Sequence, residues 1–133
     1  MKNTFINLPI RNVAATDAFF SSLGLEKNLQ FSSADTTNAK INENTFVMLL
    51  EDKRFSGFTG NSTEPVNNNL IVSLQFDTKE EVDALHAKAI ANGASDMTKH
   101  NPESEAFMYV TAFRDLNGHI WEQFAFIGEM PKA

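Results

Sequence analysis

Glu122 is the residue with the clearest chemical potential, because it is the single acid in the apolar segment HIWEQFAF near the end of the chain. A carboxylate in such a segment can ligate a metal, act as a general acid or base, or bind a polar group of a ligand. An unpaired carboxylate among apolar side chains is costly, so Glu122 requires a partner. The residues that could provide one decide the predicted function.

The histidines do not form an obvious second catalytic or metal-binding group. His86 lies in the second predicted helix, and His100 lies in the loop-like segment TKHNPES. His119 precedes Glu122 by three residues and therefore points to the other face of the strand. No His-x-Glu or His-x-x-x-His spacing is present, so we expect surface or supporting roles for all three.

The composition indicates one globular domain spanning residues 1–133, with 42% hydrophobic and 21% charged residues. The absence of cysteine excludes disulfides, zinc–thiolate sites and cysteine nucleophiles, and it is compatible with a reducing compartment. A net charge of -6 argues against nucleic acid as a partner. No segment has the pattern of a secretory signal or a membrane span, so we expect a cytoplasmic protein with no membrane partner.

The first half of the chain predicts the order β-α-β-β-β. The alternating segment TFINLPI is typical of a strand, and Asn12 can cap the helix VAATDAFFSSLGL, which Gly24 would end. Three short strands are then predicted at about 28–34, 37–42 and 45–50, separated by turn-rich segments.

The second half repeats that order. The segment NLIVSLQF is a predicted strand, and Thr78 can cap the helix KEEVDALHAKAIANG, which Gly93 would end. Strands follow near 95–100, at AFMYVTAF and at HIWEQFAF, the last two joined by the turn RDLNG. We therefore predict an α+β protein with module one at about 1–54, a connector at about 55–68 and module two at about 69–133. Phe55 and Phe58 in the connector could form a lid.

The segment FINLPIRNVAATDAFFSSLGL, the duplicated order and the late DLNG turn before HIWE together resemble the glyoxalase, bleomycin-resistance and extradiol-dioxygenase superfamily, also called vicinal oxygen chelate proteins. The family turn usually reads Asp-Pro-Asp/Asn-Gly, and Leu116 replaces the proline here. The resemblance implies two βαβββ modules that form a cupped mixed sheet, with helices outside, a ligand cavity inside and a homodimeric assembly.

The resemblance also implies four metal-ligand positions, which fall at Phe5, Met48, Ile71 and Glu122. Only Glu122 can ligate a metal, so we predict no metal site and no cofactor. A shift by two residues would place Asn7 and Ser73 at the site, and these neutral groups are weak ligands for a transition metal.

Three functions follow from this pattern. The first is a metal-free, bleomycin-resistance-like protein that binds a small hydrophobic or aromatic molecule. The second is a lyase or related enzyme, similar to lactoylglutathione lyase, with Glu122 as its catalytic base or metal ligand. The third is a structural ion pair of Glu122 with Arg54, Arg114 or Lys53.

The predicted site consists of the residues that would line the cup. The ligand-binding residues are Phe5, Asn7, Met48, Leu50, Ile71, Ser73, Gln75, Glu122 and Phe124. A catalytic function would need a second polar group close to Glu122, and the candidates are Asn7, Ser73, Gln75, Tyr109 and Thr111. The sequence names neither the ligand nor a reaction.

Overall fold

The computed structural model describes residues 1–60 and 70–129. The chain divides into two compact units, residues 1–65 and 66–133, which are described separately. Each unit contains a mixed sheet and at least one helix, so the predicted α+β class is confirmed. Within the described residues, no helix combines the length and the apolar character needed to span a bilayer.

Unit 1 is a three-stranded sheet with two helices. Its elements are β1 (Thr4–Ile10), α1 (Val13–Ser22), a short 3₁₀ helix (Leu29–Phe31), β2 (Thr36–Asn42), β3 (Thr45–Glu51) and α2 (Asp52–Thr59). The strand order is β1-β3-β2, with β1 parallel and β2 antiparallel to β3. A parallel pair requires a crossover connection between its strands, and α1 lies in that connection.

Helix α1 forms where the sequence predicts it. The Asn12 side chain accepts a 2.8 Å hydrogen bond from the Ala15 amide, and Gly24 ends the segment with a φ of 84°. Asp17 on α1 accepts a hydrogen bond from the Thr37 hydroxyl of β2. This bond places α1 on the sheet face that carries Thr37. The opposite face of the sheet is not covered by α1.

The predicted strand at 28–34 is wrong. Its place is taken by the 3₁₀ helix, in which the Asn28 side chain accepts a 2.9 Å hydrogen bond from the Gln30 amide. The buried Asn38 side chain fixes Asn28 further, because it accepts from the Asn28 amide at 2.9 Å and donates to the Asn28 carbonyl at 2.8 Å. These side-chain bonds compete with strand pairing. Only isolated bridges, Glu26 with Lys40 and Ser33 with Thr36, are formed nearby among the described residues.

The start of the predicted connector is helical. Residues 55–59 belong to α2, which follows β3 directly and ends at Gly60, whose φ is 73°. Phe55 and Phe58 therefore lie on a helix, and the Arg54 guanidinium lies 5.5 Å from the centre of the Phe58 ring. The predicted connector residues 61–68 lie outside the described residues.

Unit 2 is a four-stranded sheet with one helix. Its elements are β4 (Ile71–Gln75), α3 (Lys79–Ala91), β5 (Ser95–Asp96), β6 (Met108–Arg114) and β7 (Ile120–Phe126). The strand order is β4-β7-β6-β5, with β4 parallel and β6 antiparallel to β7. Thr78 and Glu81 form a capping box at the start of α3, which confirms the predicted helix start.

The buried face of this sheet lies under α3. Phe113 of β6 and Trp121 of β7 are fully buried, as is Val82 of α3. Because successive side chains of a strand alternate between faces, Glu122 must point away from α3. The core thus fixes which residues are presented on the open face.

Candidate functional site

Glu122 lies at the centre of the open face of the unit 2 sheet. In the strand register it is opposite Ser73 of β4 on one side and Ala112 of β6 on the other. The Ser73 hydroxyl donates a 2.9 Å hydrogen bond to Oε1 of Glu122. Ser73 is one of the five polar groups that the sequence offers as partners of Glu122, so this contact matches the expectation.

A groove of about 810 Å³ runs along this face of unit 2. Its wall includes the aliphatic side chains of Ile71, Val110 and Ile120, together with the half-buried carboxylate of Glu122. Met97 and Met108 also line it, and flexible methionine side chains adapt readily to ligands of irregular shape. An apolar surface around a few polar groups, such as the sheet side of this groove presents around Glu122, is the usual form of a small-molecule site.

The five predicted ligand-binding residues of unit 2 share one sheet face. Ile71 pairs with Ile120, Ser73 with Glu122, and Gln75 with Phe124. Ile71 and Glu122 line the groove, and Ser73 reaches it through its bond to Glu122. Ile71 is 51% exposed, which makes it a large apolar surface available to a ligand. Whether these residues bind a ligand stays a prediction.

Tyr109 and Thr111 do not supply the second polar group for Glu122. The Tyr109 hydroxyl donates a 2.5 Å hydrogen bond to Asp83 of α3, and the Thr111 hydroxyl donates a 2.9 Å bond to Oε1 of Gln123. Both hydroxyls therefore lie on the helix side of the sheet. The cause is strand alternation, because Ala112, opposite Glu122, is one residue from Thr111 and three from Tyr109.

One wall of the groove comes from a segment that the sequence does not single out. This segment contributes Met97, Thr98, Lys99, His100, Asn101, Ser104 and Glu105. At its rim, His100 Nδ1 lies 2.6 Å from Oε1 of Glu105. The concentration of polar residues in TKHNPESE just before β6 is the only local signal, and it predicts a loop without indicating which face the loop covers.

The predicted site residues of unit 1 also share one sheet face. Phe5 pairs with Phe46, and Asn7 pairs with Met48 on the same face. Leu50, the remaining predicted residue, is buried and pairs with Pro9. The Phe31 ring packs edge-on against Phe5 and Phe46, with ring centres 5.3 and 5.2 Å apart. A phenylalanine thus covers part of this face.

Of the predicted ion-pair partners of Glu122, only Arg114 lies in the same unit, and it donates a 2.8 Å hydrogen bond to the Gly118 carbonyl. Arg54 and Lys53 belong to unit 1, so their pairing with Glu122 stays a prediction. Within residues 70–129, the only hydrogen bond of the Glu122 carboxylate is the one from Ser73. Unit 2 thus provides this acid with one neutral donor.

The residues present do not fit the metal centre that the fold family implies. Three of the four corresponding positions carry Phe5, Met48 and Ile71, whose side chains offer no oxygen or nitrogen donor. Among the described residues, no group of three or more histidine, aspartate or glutamate side chains is arranged to hold a metal ion. A single carboxylate with a serine hydroxyl is a poor donor set for a divalent transition metal.

No protein-family model and no curated protein matches the sequence. Solved structures do match it. A hypothetical protein from S. aureus is 26% identical, with 94% of each chain covered and a TM-score of 0.80. A glyoxalase/bleomycin resistance protein/dioxygenase family enzyme from Burkholderia phytofirmans is 19% identical, covering 96% of this chain and 100% of its own, with a TM-score of 0.81.

A third match is a genomically encoded fosfomycin resistance protein, FosX, from Listeria monocytogenes. It is 16% identical, covers 100% of this chain and 94% of its own, and has a TM-score of 0.65. The chain has the fold of the glyoxalase/bleomycin-resistance/dioxygenase proteins. The resemblance inferred from the sequence is therefore confirmed. At this level of identity, the glyoxalase-type fold establishes an architecture and leaves the activity to be argued from the site.

Proposed function

We propose that this glyoxalase-fold protein binds a small hydrophobic or aromatic molecule in the groove of unit 2 without the help of a metal. The observation that carries the proposal is the placement of Glu122 in a groove of about 810 Å³, beside the aliphatic side chains of Ile71 and Ile120. The groove is large enough for a drug-sized molecule. The aliphatic side chains supply burial, and the carboxylate fixes the orientation of the ligand.

Binding is tested with Nile red, a neutral dye whose fluorescence rises in apolar surroundings. We expect saturable binding of the dye to the full chain. Ala112 lies opposite Glu122 on the groove face. The substitution Ala112→Phe fills the groove there, and we expect it to weaken dye binding about tenfold, which corresponds to about 1.4 kcal/mol.

The matched control is Ala87→Phe, which adds the same ring to an exposed position on α3. We expect this variant to bind Nile red as the unmodified chain does, and circular dichroism establishes that both variants are folded. Absence of saturable binding to the unmodified chain would overturn the proposal. Equal binding by the Ala112→Phe variant and the control would also overturn it.

A catalytic function is the second candidate, and the Ser73–Glu122 bond is the observation that favours it. The bond places a hydroxyl 2.9 Å from a carboxylate oxygen that could act as a general base. An enzyme of this kind would convert the compound it binds, and Glu122→Gln would abolish turnover while the groove still bound the compound. A binding protein would return the compound unchanged.

A further inference from the structure

We propose that the ligand of the unit 2 groove carries a protonated nitrogen, such as an amine or an amidine, on an apolar or aromatic body. This inference rests on the proposed function and names the ligand class for the same site. Its basis is the Glu122 carboxylate, which accepts one hydrogen bond from Ser73 on Oε1. Within residues 70–129, no other polar group bonds to this carboxylate. A carboxylate accepts several hydrogen bonds, so acceptor capacity remains.

The surroundings of Glu122 make an uncompensated charge expensive once a ligand fills the groove. On the same sheet face, Ile120 and Phe124 flank it along β7, and Ala112 lies beside it on β6. A bound apolar molecule displaces water from the carboxylate without replacing the lost hydrogen bonds. A neutral ligand therefore leaves a buried charge unpaired, and an anionic ligand adds repulsion. A cationic N–H donor restores the bonds and neutralises the charge.

The other charged side chains that line the groove do not neutralise the Glu122 carboxylate. His100 lies 2.6 Å from Glu105, so the second carboxylate of the groove already has a local partner at the exposed rim. Lys99 is the only lysine or arginine that lines the groove, and among the described residues it makes no ion pair. Fixing its long, hydrated side chain onto Glu122 would cost conformational entropy and hydration. A rigid ligand ammonium avoids the entropy cost.

The test compares three naphthalene compounds of similar size: naphthylmethylamine, naphthylmethanol and naphthoate. Their affinities for the full chain are measured by isothermal titration calorimetry at neutral pH. We expect the protonated amine to bind about tenfold tighter than the alcohol, and the carboxylate to bind weakest. Equal affinity of the amine and the alcohol, or tighter binding of either other compound, would overturn the inference.

Two substitutions identify the groups responsible for the preference. Glu122→Gln keeps an acceptor for the Ser73 hydroxyl but removes the charge, so the amine should lose its advantage while the alcohol binds as before. Glu80→Gln removes an exposed carboxylate from α3, which packs on the other face of the sheet, and should leave the preference intact. A preference that persists in Glu122→Gln, or disappears in Glu80→Gln, would contradict the assignment to Glu122.

A third substitution tests Lys99 as the counter-ion. If its ammonium neutralises Glu122, the unmodified chain would show no preference for the amine, and Lys99→Met would create one. That result would overturn the inference but would leave the binding function standing, because the naphthyl compounds would still bind and Ala112→Phe would still weaken them. Failure of all three compounds and of Nile red to bind would overturn the proposed function, and the inference with it.

Discussion

Tyr109 shows how a single side chain reports on the packing of α3 against the sheet. Its hydroxyl donates a 2.5 Å hydrogen bond to Asp83, and Lys79 Nζ lies 4.7 Å from the ring centre. The bond to Asp83 is the main cause that raises the pKa of Tyr109 above 10.0, followed by burial and by the negative charge of Asp83. Ionising the phenol would remove the donor and place two negative charges together.

The sign of the resulting pH dependence follows from linkage. Because the pKa of Tyr109 is raised in the folded protein, its contribution to stability is fully present below the unfolded value and is lost as the pH rises through the folded value. The chain contains one tyrosine, so the ultraviolet absorbance of ionised tyrosine reports on this residue alone.

We expect Tyr109 of the folded protein to titrate above 10.0 and the denatured chain to titrate near that value. Asp83→Asn should move the titration of the folded protein down toward 10.0, because it weakens the hydrogen bond that the protonated phenol donates and removes the charge that opposes ionisation. Glu80→Gln removes a carboxylate from the same helix and is the control, with no change expected. Titration of the native tyrosine at or below 10.0 would contradict the hydrogen bond between Tyr109 and Asp83.

At the scale of elements, the β6–β7 hairpin depends on one buried acid. Oδ1 of Asp115 accepts hydrogen bonds from the amides of Asn117 and His119 at 2.8 and 3.0 Å, and Oδ2 accepts from Trp121 Nε1 at 2.9 Å. Asp115 is 6% exposed. This carboxylate explains how the turn forms with Leu116 in place of the usual proline, since the acid rather than a proline ring fixes the backbone.

We predict that Asp115→Asn lowers the free energy of unfolding by about 1–3 kcal/mol, because the amide turns an N–H toward one of these donors and leaves it unsatisfied. Trp121 is the only tryptophan and is fully buried, so its fluorescence during denaturant unfolding follows the change. The exposed Asp77→Asn is the matched control, for which a change within about 0.5 kcal/mol is expected. Equal midpoints for the two variants would show that the three hydrogen bonds do not stabilise the hairpin.

The elements that the sequence predicts correctly are those with local signals. Asn12 and Thr78 cap their helices as expected, and Gly24 and Gly93 take positive φ values at the helix ends. The strands in which apolar and polar residues alternate between turn-rich segments are also predicted correctly. Such signals act over a few residues, so they can be read without knowledge of the tertiary fold.

The elements that the sequence does not predict depend on distant contacts. The segment 28–34 has a strand-like alternation, yet two hydrogen bonds between Asn28 and Asn38, ten residues apart, turn it into a 3₁₀ helix. The wall at Met97–Glu105 depends equally on where β5 places the chain. The candidate acid and its serine partner could be predicted from strand alternation, whereas most of the groove around them could not.

At the scale of the whole molecule, both units begin with a strand and a helix and continue into an antiparallel strand pair, but they differ in the side chains on the sheet face away from the helix. In unit 1, Phe31 packs on the rings of Phe5 and Phe46. In unit 2, the equivalent face carries the groove and Glu122. The two sheet faces therefore differ in chemistry, because aromatic rings dominate that of unit 1 whereas that of unit 2 presents a carboxylate.

The side chains at the expected metal-ligand positions lead to a prediction about metals. The resemblance to glyoxalase-type proteins implies four such positions, which fall at Phe5, Met48, Ile71 and Glu122. One carboxylate cannot replace the several imidazole and carboxylate donors that hold Ni²⁺, Mn²⁺ or Zn²⁺. We expect calorimetric titration with these ions to show at most weak binding, with the same isotherm for the unmodified chain and Glu122→Gln.

The exposed His100–Glu105 pair provides the control for that titration, because an imidazole 2.6 Å from a carboxylate can bind divalent ions weakly by itself. Any weak signal should therefore fall in Glu105→Gln and persist in Glu122→Gln. A tight, stoichiometric metal lost only in Glu122→Gln would mean that donors beyond those four positions complete a site around this acid. Glu122 would then be a metal ligand, and the argument for a cationic ligand partner would fail.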